Sequence, residues 1–129
     1  MSDPRRRLGE SGERLAAAHL EQRGYQLLDR NVRRREGEVD LIAIDAGGSV
    51  PVLVFIEVKL RRSRTTGTAI EALSRHKQQR LRALAEVYAA EHPRLPEDLR
   101  IDLVAIDLAR DGSVASIQHV ENAVEGASS

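Results

Sequence analysis

Cysteine and tryptophan are absent from this 129-residue chain, and aromatic residues are few: one Phe and two Tyr. Without cysteine there are no disulfides and no thiolate metal sites, and a cytoplasmic location is the expectation. So few aromatics leave no platform on which unpaired bases could stack, which argues against sequence-specific readout of single strands. No apolar run approaches the roughly 20 residues that span a membrane. The N-terminus Met1-Ser2-Asp3-Pro4-Arg5-Arg6-Arg7 has basic residues but no apolar stretch behind them, so no signal peptide is expected. Hydrophobic residues make up 41% and charged residues 31% of the chain, the balance of a globular domain with one core.

The net charge is zero but unevenly placed. Residues 1–82 hold 17 Lys and Arg against 11 Asp and Glu, and residues 83–129 hold 3 against 9. The excess is thus +6 in the first part and −6 in the second. A basic face able to meet a polyanion is one consequence of such asymmetry.

The most apolar stretch is Val52-Leu53-Val54-Phe55-Ile56-Glu57-Val58-Lys59-Leu60. Its apolar residues alternate onto both faces, as in a strand buried in mid-sheet. Glu57 and Lys59 then share a face near the strand end, where an unpaired charge would be costly. Before it, Glu38–Ile44 reads as an antiparallel partner joined through the turn 45–49, and Tyr25–Arg33 as a first strand. Asp40 falls on the same face as Ile42 and Ile44, with Gly37 expected to allow a bend that aims it. Counting outward from the turn, Asp40 and Glu57 converge at one end of the two strands.

A helix is expected from Leu8 to Arg23, stopped at Gly24, with Glu13 at the edge of its apolar stripe. A second is expected from Thr68 to Glu91, its stripe interrupted by Lys77, which needs a carboxylate or phosphate partner unless its stem reaches water. Strands over Arg100–Leu108 and Val114–Val120 follow. The expected fold is therefore α/β, a mixed central sheet of about five strands flanked by helices in the order α-β-β-β-α-β-β. Residues 1–7 are expected as a flexible basic arm, 8–120 as the domain and 121–129 as a loose tail.

Two carboxylates, Asp40 and Glu57, meeting from neighbouring strands make an oxygen site for a hard cation such as Mg²⁺, with Mn²⁺ as a substitute. Such an ion activates water and neutralises phosphate charge. Lys59 can orient the attacking water or stabilise developing charge, and Glu13 can add a ligand. Arg61, Arg62, Arg64 and Lys77 would hold a phosphate backbone without reading bases.

Gly37-Glu38-Val39-Asp40-Leu41-Ile42 followed by Val54-Phe55-Ile56-Glu57-Val58-Lys59 resembles the PD-(D/E)XK superfamily of restriction-endonuclease-like nucleases. More closely, the chain resembles the YraN-like family, through Gly12-Glu13, Ala16, Leu20, Gly24-Tyr25, Asn31, Gly37–Asp40, Glu57–Lys59, Lys77 and Ile101-Asp102. The resemblance covers residues 8–108 and implies the restriction-endonuclease-like fold. It matches Asp40 and Glu57 to metal-binding acids, Lys59 to the catalytic lysine, and Glu13 to the helix glutamate of archaeal Holliday-junction resolvases. Val39 stands where the superfamily name has proline. The expected activity is Mg²⁺-dependent endonucleolytic hydrolysis of DNA, including branched or structured DNA. Junction resolution needs two active sites, so a homodimer is the matching assembly. The alternative is a DNA-binding accessory protein that keeps the fold and does not cut. Asp102 is expected to pair with an arginine, and the four histidines to carry no metal.

Overall fold

The computed structural model describes residues 4–62 and 73–124, with side chains from residue 11 onward. Among the described residues, two helices and five strands alternate in the expected order. They are α1 (Pro4–Gln22), β1 (Gln26–Arg34), β2 (Gly37–Asp45), β3 (Val52–Arg62), α2 (Arg75–Glu91), β4 (Asp98–Leu108) and β5 (Val114–Val120). The strands form one sheet in the order β1-β2-β3-β4-β5. Only β3 and β4 run parallel, as the helical crossover between them requires; the other neighbours are antiparallel. Among the described residues no helix is long and apolar enough to cross a membrane.

The two faces of β3 sort as its alternation dictates. Val54 and Ile56 pack with Leu41, Ala43, Val104 and Ile106 against Ala16, Ala17 and Leu20 of α1. Leu53 and Phe55 pack with Ile42 and Ile101 against Leu81, Leu84, Ala85 and Tyr88 of α2. Each of these side chains is at most 4% exposed, and burying a Val, Leu, Ile or Phe among them contributes roughly 1.5–3 kcal/mol.

Both helices begin elsewhere than periodicity suggests. α1 starts at Pro4 rather than Leu8, with proline at a position where its missing N–H costs nothing. α2 starts at Arg75. Leu73 is buried at a helical spacing, but Ser74 is extended (ψ 155°) and its side chain accepts a hydrogen bond from the Lys77 N–H. A serine cap outweighs the apolar repeat there. The expected start at Thr68 lies outside the described residues.

Candidate active site

The site forms where β2 and β3 part. Their pairing ends at Leu41 opposite Ile56; one step further would set Asp40 opposite Glu57. The ladder is completed instead by a side chain: Asp40 Oδ2 accepts the Val58 N–H at 2.7 Å. Alternation in β2 also breaks here. Val39 and Ile42 pack on the α2 side, whereas Leu41 and Ala43 pack on the α1 side. Across from Asp40, Asn31 of β1 has φ +51°, and the register passes from Arg30–Leu41 to Val32–Val39 without pairing it. Asparagine tolerates that left-handed conformation better than most residues. The register shift between β1 and β2 lies further along, between Leu27 and Asp29, opposite Ala43 and Ile42. Gly37 serves a close approach: a Cβ there would come within 3.1 Å of the Arg80 carbonyl oxygen on α2.

Four elements bring their side chains to one open cleft of about 270 Å³, lined by Glu13, Asp40, Glu57, Val58, Lys59, Leu60 and Lys77. Glu13 reaches it because Gly12 is buried on Leu60 of β3; a Cβ on Gly12 would meet Leu60 at 3.1 Å. Lys77 reaches it from the capped first turn of α2, and its Nζ lies 2.7 Å from Glu57 Oε1. Of the two partners the sequence leaves open for Lys77, a carboxylate or a phosphate, the structure shows the carboxylate of Glu57. Lys59 is exposed at the mouth of the cleft.

The electrostatics are those of carboxylates crowded together out of water. Burial pushes Glu57 up to about 7, and the charge of Asp40 adds to it, against the pull of Lys77 and Lys59. Burial also raises Asp40, with Glu38 adding to the rise; the Val58 N–H, Lys77 and a hydrogen bond with Glu57 oppose it. For Lys77, burial alone would lower the pKa, but the bond to Glu57 and the field of Asp40 outweigh it and raise the ammonium's pKa. A cation between the two acids would relieve this mutual repulsion.

The expected third ligand is not in place. Among the described residues no three His, Cys, Asp or Glu groups come together closely enough to hold an ion, so Glu13 lines the cleft without completing a ligand set. Two carboxylates are still sufficient for Mg²⁺, which keeps several waters and takes further oxygens from a phosphate.

The basic residues divide. Arg61 does not point to the cleft; its guanidinium grips Asp107 of β4 at 2.8 and 3.2 Å, with its side chain 10% exposed. Its expected role on phosphate gives way to a cross-strand ion pair. Arg62 is exposed at the end of β3. Arg64 lies outside the described residues.

A second charged centre lies on β4, around the Asp102 expected to pair with an arginine. Asp102 of β4 is fully buried and accepts from Arg100 (2.9 and 3.1 Å), His119 Nε2 (2.7 Å) and the Asn122 N–H (2.9 Å). Arg100 also donates to the Tyr25 hydroxyl at 2.7 Å. The arginine partner was anticipated. The histidine was not, although alternation along β4 and β5 puts Asp102 and His119 on one face.

The profile of the uncharacterised protein family UPF0102 matches residues 12–106, which include Glu13, Asp40, Glu57, Lys59 and Lys77. A UPF0102 protein of Symbiobacterium thermophilum is 49% identical over 107 residues, 83% of this chain and 87% of its own. One of Roseiflexus castenholzii is 43% identical over 129 residues, covering 98% of this chain and all of its own. One of Pelotomaculum thermopropionicum is 40% identical over 123 residues, covering 95% and 99%. Matched along nearly its whole length by such relatives, the chain belongs to the uncharacterised protein family UPF0102.

Proposed function

We propose that this protein is a divalent-metal-dependent endonuclease that hydrolyses phosphodiester bonds in DNA. One observation carries the reading: Asp40 and Glu57 converge in a cleft that also holds Lys59 and Lys77, and both acids are pushed above the usual carboxylate range. Perturbed acids with adjacent ammonium groups in a cleft mark a functional site more often than a structural one. The resemblance to restriction-endonuclease-like nucleases points to Asp40, Glu57 and Lys59 among these, with Glu13 as its fourth position.

Asp40 and Glu57 would hold the cation, Mg²⁺ or its substitute Mn²⁺. When bound, the ion supplies charge neutralisation at the phosphate. The Val58 N–H fixes the orientation of Asp40, and Lys77 fixes that of Glu57. Lys59, free to move at the mouth, orients the attacking water or meets charge developing on the phosphate. Glu13 borders the same space from α1 and can accept a proton or a water hydrogen. With few aromatic side chains, the protein is suited to duplex or branched DNA read by shape and backbone. A cytoplasmic setting goes with such a substrate.

The test is a cleavage panel of junction, flap, duplex and single-stranded DNA in Mg²⁺ or Mn²⁺. Metal-dependent cutting by the wild type, lost in Asp40→Ala, is expected. Equal cutting by both would assign the activity elsewhere. A second reading, a DNA-binding protein without turnover, draws on the ammonium already seated on Glu57. Salt-sensitive DNA binding with no cleavage on any substrate would favour it.

A further inference from the structure

The cleft with the acids does not end at Lys77. Beyond it lies a second open cleft of about 270 Å³, lined by Glu38, Ser74, His76, Lys77 and Arg80. Lys77 belongs to both linings. Glu38, the acid of the second cleft, already faces Arg33 at 3.3 Å. The Lys77 backbone is pinned: Ser74 caps its N–H at 3.1 Å, and Gly37 seats α2 closely against β2 at Arg80. Its stem is not. The side chain is 41% exposed while that of Glu57 is 5% exposed. A lysine ammonium is a compact charge on a flexible four-carbon stem, so it can turn from one cleft to the other without moving the helix.

An ion held by Asp40 and Glu57 would compete for the carboxylate that Lys77 now occupies, and two cations at contact distance repel. We infer that Lys77 is an exchangeable counter-ion: it holds Glu57 until a divalent cation binds, then turns into the neighbouring cleft and, with Arg80 and His76, takes a phosphate of the DNA strand. This rests on the proposed nuclease reading and adds a coupling to it. Cation binding frees the ammonium that DNA needs, so each ligand strengthens the other by the same factor.

The full chain is titrated with Ca²⁺ by calorimetry. A fluorescent duplex oligonucleotide is then titrated with and without Ca²⁺. In Lys77→Met, Ca²⁺ affinity rises roughly tenfold to a hundredfold, the range that a charge-assisted hydrogen bond contributes. Lys77→Gln serves as a second variant and shifts the same way. Lys59→Met removes an equal charge from the same cleft, but among the described residues Lys59 makes no bond to Glu57; it shifts the affinity far less. Ca²⁺ strengthens DNA binding by the wild type and does so markedly less in Lys77→Met, where only the ion's own contact with phosphate remains. Unchanged Ca²⁺ affinity in Lys77→Met, an equal rise in Lys59→Met, or undiminished strengthening of DNA binding in Lys77→Met overturns the inference while leaving the site standing. No Ca²⁺ binding by any form, or binding indifferent to Asp40→Asn, overturns the nuclease reading with it.

Discussion

Two buried carboxylates lie on neighbouring parallel strands and have opposite characters. Asp102 of β4 pairs in register with Ile56, one residue before Glu57 of β3. Burial alone would raise Asp102, but bonds from His119, Arg100 and the Asn122 N–H outweigh it and hold it below the usual carboxylate range. Glu57, buried nearly as deeply, has one ammonium partner and a second acid beside it, and is pushed up to about 7. Burial is common to both. The number and sign of the partners decide the outcome. A carboxylate with full satisfaction locks β4 to the end of β5, whereas one left in like-charge company is poised to bind something.

Removing each acid should expose this contrast. The largest effect is on stability: Asp102→Ala strands Arg100 and His119 and costs about 3–5 kcal/mol in urea unfolding. A loss below about 1 kcal/mol would make the cluster ornamental. Next comes activity. Asp40→Asn should lower metal-dependent cleavage by about 10²–10³-fold in single-turnover assays, the scale of losing one preorganised electrostatic group, with little change in unfolding.

The pH dependences should run in opposite directions. Glu57 titrates higher when folded than its ordinary 4.5. Its contribution is therefore fully present below about pH 4.5 and lost as pH rises through about 7. Asp102 titrates lower when folded. Its contribution is present above its ordinary value of 3.8 and lost as pH falls further. Unfolding free energies in Glu57→Gln should lose a decline on the order of 2 kcal/mol between pH 4.5 and 7.5. An unaltered slope would place the titration on another group. The smallest effect belongs to Arg61→Ala. It should cost about 1 kcal/mol of stability through Asp107 and leave DNA affinity nearly unchanged, as checked by unfolding and fluorescence anisotropy.

Much of this contrast could be read from the chain. The apolar alternation of residues 52–60 places β3 in mid-sheet, and Asp45 to Ser49 marks the turn that folds β2 back on it. The two together suffice to bring Asp40 near Glu57. The position of the second helix's first turn was less legible, because Leu73 fits the apolar repeat while the Ser74 cap ends it. Lys77 signalled a partner without naming it. Its seat on Glu57 follows from where α2 lies against the sheet, which the helix's apolar repeat does not specify. His119 was hidden for a different reason. Its bond to Asp102 joins residues 17 apart across β4 and β5, and spacing alone does not single out such a pair. Arg61 looked like part of a basic cluster because Asp107 is 46 residues away and meets it only through parallel pairing.

Electron paramagnetic resonance of Mn²⁺ tests most directly whether Asp40 and Glu57 share one ion. Titration of the wild type should show one Mn²⁺ bound per chain, with binding lost in Asp40→Asn and in Glu57→Gln and retained in Asp102→Asn. Mn²⁺ binding that persists undiminished in both site variants would contradict it.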